Sequence, residues 1–370
     1  MTKLQRDDHT INPDNIDAYI GTYSSDRSIY LARLLKSLNM PQISFGSTSV
    51  TLTDENRYPF FLRTVPADDR QVSGMIKFLR EFDIRYVQVV HSADNYGEQG
   101  AEIFKQVADQ NRVCIAQTVS FPYKKEVTVE NANDIVLALL QKPIANTVVI
   151  FADSNSINAL LRAIRRNPEA AGKFKFMGAD GWANNVESTE GVEDIASGSV
   201  TFDLNVNDLP EFDQYLATKT PANYPENPWF AEYYEAIHNC YLTVPDKRYP
   251  VRCSATPQNI VTSSRYKQDT GIIHVINAVF SAAHGLDKAL REKCTDDYST
   301  VCENFKGNQR REFVLDKIRT AAFTDLSGSE FSFYDRGDGK KGYVIYSLDS
   351  SPQTGFAYNR VKLINTINMM

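Results

Sequence analysis

Residues 85–121 read RYVQVVHSADNYGEQGAEIFKQVADQNRVCIAQTVSF. Valine-rich Arg85 to Ser92 has the make-up of a strand, Tyr96 to Gln110 places apolar residues at helical spacing, and Val113 to Phe121 is a second strand. A strand, a helix and a strand in succession form a crossover unit, which is how parallel strands are joined. The same alternation extends to both sides. Strands are expected at Ala18 to Gly21, Pro41 to Phe45, Phe60 to Val65, Thr147 to Ala152, Lys175 to Ala179 and Ser199 to Leu204. Helices are expected at Arg27 to Leu38, Gln71 to Phe82, Asn131 to Gln141 and Ser156 to Arg165. The class is α/β.

Beyond Leu204 the pattern changes to loops rich in Asp and Pro, a helix from Pro228 to His238, a polar insertion and a longer helix from Tyr266 to Arg291. Glu330 to Tyr346, EFSFYDRGDGKKGYVIY, reads as a hairpin around a turn of Asp and Gly. The chain has 370 residues, 42% of them hydrophobic and 23% charged, which suits two domains better than one core. A net charge of −6 removes the electrostatic drive for nucleic-acid binding. The N-terminus is polar and gives no secretory signal. The longest apolar stretch, Ile272 to Leu286, is interrupted by His274, Asn277 and His284 and is too short to span a bilayer.

Five cysteines bear on the compartment. Cys240 and Cys253 lie 13 residues apart, Cys294 and Cys302 lie 8 apart, and Cys114 stands alone upstream. Their spacing supports neither a zinc site nor a redox CxxC, and two close pairs suggest local disulfides, with buried reduced thiols as the alternative. No metal site or cofactor is expected. The five histidines form no HExxH, and neither GxSxG nor a Walker loop occurs, so catalysis is not expected.

In wound parallel sheets a ligand sits at the carboxyl ends of the strands, which directs attention to the residues after each strand. Ser24 and Ser25 precede a helix, with Ser25 as the expected N-cap, and the free N–H groups there suit a carboxylate. Gly46, Ser47, Thr48 and Ser49 form a turn of small hydroxyl residues that could serve the same anion. Asp68 closes FFLRTVPAD, Tyr96 opens a helix, and Asp180 ends KFKFMGAD beside Gly181. Carboxylates beside a tyrosine face suit an ammonium group. Each residue alone also fits a cap, a turn or a packing role; together they describe a clamp for a zwitterion, that is, an α-amino acid.

The segments TYSSDRSIYLARLL, PQISFGSTSVTLTDENRYPFFLRTVPAD, NYGEQG, VCIAQ, GADGWA, NPWF, VINAVFSAAHGL and FYDRGDGKKGYVIY, in this order, resemble the ligand-binding ectodomain of metabotropic glutamate receptors. The resemblance runs from about Ile20 onward. It implies a bilobed, periplasmic-binding-protein-like type I fold, the Venus flytrap, with two doubly wound sheets. Lobe one would comprise residues 1–67 plus 202–336 and be incomplete at its N-terminus; lobe two would comprise 68–201 plus 337–370. Ser25 and Thr48, with backbone at Gly46 and Ser47, would hold the ligand's α-carboxylate, and Asp68, Tyr96 and Asp180 its ammonium.

The resemblance further implies disulfides Cys240–Cys253 and Cys294–Cys302, and a bridge from Cys114 to a cysteine-rich domain. It implies a homodimer seam on lobe one that includes Leu34 and Leu38, and, in a full-length receptor at the plasma membrane, a seven-helix segment and a G protein. One departure concerns the ligand: glutamate receptors carry a lysine at the position of Gly271 that grips the distal carboxylate. The α-amino-acid clamp is therefore implied, while the ligand's side chain stays open. A soluble periplasmic-type amino-acid-binding protein is the alternative.

Overall fold

A computed structural model describes residues 4–6, 9–11, 16–122, 127–244, 248–294, 301–307, 309–351 and 355–364. In chain order the strands are β1 Leu4–Arg6, β2 His9–Ile11, β3 Tyr19–Ile20, β4 Gln42–Ser44, β5 Phe61–Arg63, β6 Tyr86–His91 and β7 Cys114–Ser120. They continue with β8 Thr147–Phe151, β9 Lys175–Gly178, β10 Val200–Leu204, β11 Ala322–Thr324, β12 Glu330–Ser332, β13 Tyr343–Ser351 and β14 Gly355–Ile364. The helices are α1 Ser25–Lys36, α2 Asp68–Glu81, α3 Asn95–Gln110, α4 Val129–Leu140 and α5 Ser154–Arg166. After them come α6 Glu193–Ala196, α7 Pro210–Ala217, α8 Phe230–His238, α9 Ile272–Lys293 and α10 Arg310–Arg319.

Contacts divide the chain into two compact units. The larger takes in residues 1–205, 274–324 and 330–370. It contains a parallel three-stranded sheet, β3-β4-β5, and a seven-stranded sheet in the order β14-β13-β10-β9-β8-β6-β7. Within the latter, β7-β6-β8-β9-β10 are parallel, and β13 and β14 are added antiparallel. The strand order reverses between β7 and β8 on either side of β6, so the switch point where such sheets bind ligands lies at the carboxyl end of β6. β8 is buried at every residue, as a central parallel strand covered on both faces must be.

Two principal cores follow from the two sheets. One packs α4 and α5 through Ile135, Leu139, Leu160 and Ile164 against Val148 and Ile150. The other gathers Ile43 and Leu62 of the small sheet with Ala278, Val314, Ile318, Phe323 and Phe331. Caps set the helix starts: Asp94 accepts from the Gly97 amide at the head of α3, and Asp153 accepts from Asn155 and Ser156 at the head of α5.

The smaller unit, residues 206–273 with 325–329, has a core of its own: Leu216, Phe230, Tyr234, Cys240 and Ile260. Cys240 and Cys253 are bonded there, and Cys294 and Cys302 are bonded in the larger unit. Cys114 is free and exposed at the start of edge strand β7. Among the described residues no helix is long and apolar enough to cross a membrane.

Three expectations are corrected. Glu330 to Tyr346 folds back only next to its turn: the Gly337 amide donates to Tyr334, Phe333 and Gly339 form an antiparallel bridge and the Lys340 amide donates to Ser332, whereas β12 pairs with β11 and β13 pairs with β10 and β14. Beyond this short fold-back the chain passes from one sheet to another. The helix expected from Tyr266 begins at Ile272, because the Asp269 carboxylate accepts the Gly271 amide and shapes a turn there. The N-cap of α1 is Ser24, whose hydroxyl accepts from the Arg27 amide, while Ser25 is the first helical residue.

Candidate ligand-binding site

The carboxyl ends of both sheets contribute to one polar cluster in the larger unit. From the small sheet, β4 leads into Gly46–Ser49 and β3 into the N-terminus of α1. Ser44 Oγ accepts the amides of Gly46 (3.3 Å) and Ser47 (3.0 Å), and the Ser47 hydroxyl donates to Tyr23 O (3.1 Å) and to Ser28 Oγ (2.8 Å). Gly46 and Ser47 therefore spend their donors on shaping the turn. Gly46 is also sterically required, since a Cβ there would fall 2.4 Å from the Tyr23 ring.

Ser25 is buried at the head of α1, and its hydroxyl oxygen accepts the Ser49 amide at 3.2 Å, which leaves its proton free to donate. The first amides of α1 have no acceptor within the helix. Thr48 is 2% exposed, and its carbonyl accepts the Asp68 amide at 3.0 Å. Ser25 and Thr48 thus lie on adjoining segments, with Ser24 half-buried beside them at the cap.

From the large sheet, Tyr96 follows β6 at the switch point and Asp180 follows β9. The Tyr96 hydroxyl donates to Asp180 Oδ1 at 2.6 Å and accepts the Gly181 amide at 3.0 Å. Gly181 is held to glycine by geometry, because a Cβ would meet Ala152 O at 2.4 Å and Tyr96 Oη at 3.0 Å. The next residue, Trp182, is fully buried and donates to Tyr358 Oη at 2.8 Å, which pins the Asp180 turn to β14. Asp68 is the first residue of α2, not the end of a strand, and is completely buried.

The electrostatics are unusual for a resting site. Burial, then the neighbouring Asp180 charge, pushes the Asp68 carboxyl well above the usual carboxylate range, with Arg63 opposing. Burial also raises Asp180, although Tyr96, Gln71 and Gly181 favour its ionised form. Asp180 and Tyr96 are half-buried. The Tyr96 phenol is driven up by burial and then by both carboxylates.

Among the described residues neither Asp68 oxygen has a hydrogen-bond partner, and the same holds for both amide atoms of buried Gln71 and for the Tyr343 hydroxyl. Thr48 and Gln71 stand close enough to influence the carboxylates without meeting hydrogen-bond geometry. Two buried carboxylates so close together favour a proton or a cation between them.

Several contributors were not evident from the sequence. Arg63 is fully buried; it pairs with Asp338 at 2.6 Å and donates from Nη1 to Ser47 O and Ser49 O, each at 2.9 Å. Arg336 contacts Asp338 and forks onto Asp69, with Nη2 at 3.0 and 2.9 Å from its two oxygens. This network ties the Ser47 turn to the start of α2. A charged residue inside the apolar run FFLRTV was its one sequence signal. Leu34 and Leu38 lie away from the cluster, on the outer face of α1 and just beyond its end, with 60% and 37% of their surface exposed.

Parallel sheets that converge on a small, doubly acidic polar site define a ligand-binding region. Residues 2–351 match the family model described as receptor family ligand binding region, and the chain belongs to that family. It is similar to metabotropic glutamate receptor 6 of Oryctolagus cuniculus, 32% identical over 342 residues that make up 92% of this chain and 39% of that protein. It is also similar to metabotropic glutamate receptor 8 of Rattus norvegicus, 33% identical over 337 residues, with 90% and 36% covered. A third relative, a metabotropic glutamate receptor of Drosophila melanogaster, is 30% identical over 380 residues, with 91% and 38% covered. The chain spans under two-fifths of the length of these relatives.

Proposed function

We propose that this chain is the extracellular ligand-binding region of a metabotropic glutamate receptor-like, plasma-membrane receptor and that it closes on an α-amino acid. The observation that carries the reading is the pair of buried carboxylates, Asp68 and Asp180, with unpartnered Asp68 oxygens beside the Tyr96 ring. An α-ammonium group supplies the missing charge and donors. The Ser25 hydroxyl, Thr48 and the free amides at the head of α1 serve the carboxylate, while Gly46 and Ser47 act as scaffold for them. Gly271 offers no charge to a distal carboxylate, so amino acids without acidic side chains are the first to test.

In this reading the small sheet belongs to lobe one and the large sheet to lobe two, and closure is passed to a membrane segment and a G protein. The exposed stripe Tyr30, Leu34 and Leu38 on and just beyond α1 is suited to a second copy of the chain as a homodimer seam. Cys114, exposed on an edge strand, is placed for a bridge to a cysteine-rich domain.

Calorimetric titration of the chain with the standard L-α-amino acids tests the reading. At least one should bind, and Ser25→Ala and Thr48→Ala should each weaken it by roughly tenfold to a hundredfold, since each removes a donor to a charged carboxylate. Unchanged affinity in both variants would reject the clamp.

A further inference from the structure

The contacts that join the two sides of the site converge on a residue that the amino-acid reading does not use. Asn95 is the first residue of α3, beside Tyr96. Its Oδ1 accepts from the Ser49 hydroxyl at 2.6 Å, its Nδ2 donates to Thr51 Oγ1 at 3.2 Å, and its backbone amide donates to Asp26 Oδ1 at 3.2 Å. None of these partners belongs to the large sheet or its crossovers: Ser49 and Thr51 follow β4, and Asp26 is in the first turn of α1. Two of the three adjoin the anion side of the clamp, Asp26 following Ser25 and Ser49 following Thr48, and Thr51 lies two residues beyond Ser49.

Ser49 is fixed independently of Asn95, and Thr51 is joined to it. Ser49 is fully buried, its amide donates to Ser25 Oγ, and its hydroxyl oxygen accepts the Thr51 amide at 3.2 Å. Arg63 holds the Ser49 carbonyl from below. Asn95 therefore meets a preformed surface with both ends of its amide and with a helix-terminal N–H that has no acceptor in its own helix. Hydrogen bonds weaken steeply with distance and angle, so a small separation of the two sides breaks all three contacts together.

We propose that Asn95 is a closure latch, a positioning residue that joins the anion side to the cation side and holds Tyr96 over the site. The latch rests on the amino-acid reading only for what it retains. Its partners are all protein atoms, so it slows the release of any α-amino acid held between the two sides.

The test compares the full chain with Asn95→Ala by hydrogen exchange without added amino acid. The latch requires faster exchange in three separate peptides, 22–30, 44–53 and 91–99, with 147–151 and 175–178 unchanged. A rise confined to 91–99, or none, overturns it. Thr51→Val, which keeps the fold but removes one partner, should loosen the same three peptides less. Adding it to Asn95→Ala should give no further effect, and additive effects would overturn the coupling.

In stopped-flow experiments with each L-α-amino acid that binds the wild-type chain, Asn95→Ala should dissociate about tenfold faster. A change confined to association contradicts the proposal. Failure of every amino acid to bind would overturn the amino-acid reading, whereas the exchange result decides the latch by itself.

Discussion

Asp68 is a buried carboxyl whose ionisation costs the fold stability. Its carboxyl is raised above the ordinary value of 3.8 by burial and by Asp180, so the folded, ligand-free protein holds its proton more tightly than the unfolded chain does. The resulting stabilisation is fully present below about pH 4 and is lost as pH rises through the elevated pKa. Asp68→Asn, which never ionises, should therefore melt at a higher temperature than wild type near pH 7, with the difference vanishing near pH 4. Thermal scans across that range check this, and the same variant should lose amino-acid affinity about a hundredfold. The positions of Asp68, Tyr96 and Asp180 after strands are legible in the sequence. The parts played by Arg63, Gln71 and Tyr343 are not, because nothing in a sequence shows which buried polar atoms end without partners.

Among the elements, α1 serves two surfaces. Ile29, Ala32 and Leu35 are buried, while Tyr30 and Leu34 are exposed on the opposite face, with Leu38 exposed just past its end. If the exposed stripe is a self-association seam, Leu34→Glu should lower the sedimentation mass of a dimer to that of a monomer without changing the circular dichroism spectrum. A wild-type chain that sediments as a monomer at all concentrations would contradict the seam. Repeated crossovers made most strands and helices through β10 readable, since apolar periodicity switches cleanly between 2 and 3.6 there. Pairing was not readable: YDRGDG signals a turn, yet the partners of β12 and β13 are chosen by sheets built from distant segments. Ser24 rather than Ser25 caps α1 because two adjacent serines carry the same signal, and only backbone direction separates them.

At the scale of the whole molecule, the stretch that reads as Asp- and Pro-rich loops, one helix and a polar insertion is a unit with its own core, concealed because Leu216, Phe230, Tyr234 and Ile260 are widely spaced in sequence. Its disulfide closes a separation of 13 residues, a constraint worth about 3 kcal/mol in the chain-entropy account. Cys240→Ser with Cys253→Ser should thus release exchange protection across 210–266 at denaturant concentrations where 86–151 remain protected. Loss of both in a single step would show that the units do not unfold separately. The central claim is that two buried carboxylates receive an α-ammonium group, and the most direct test is a matched pair of ligands. An L-α-amino acid that binds the chain should be titrated beside its 2-hydroxy analogue, which keeps the carboxylate and side chain but carries no positive charge. The account requires the amino acid to bind at least about a hundredfold more tightly; equal affinity for the two would contradict it.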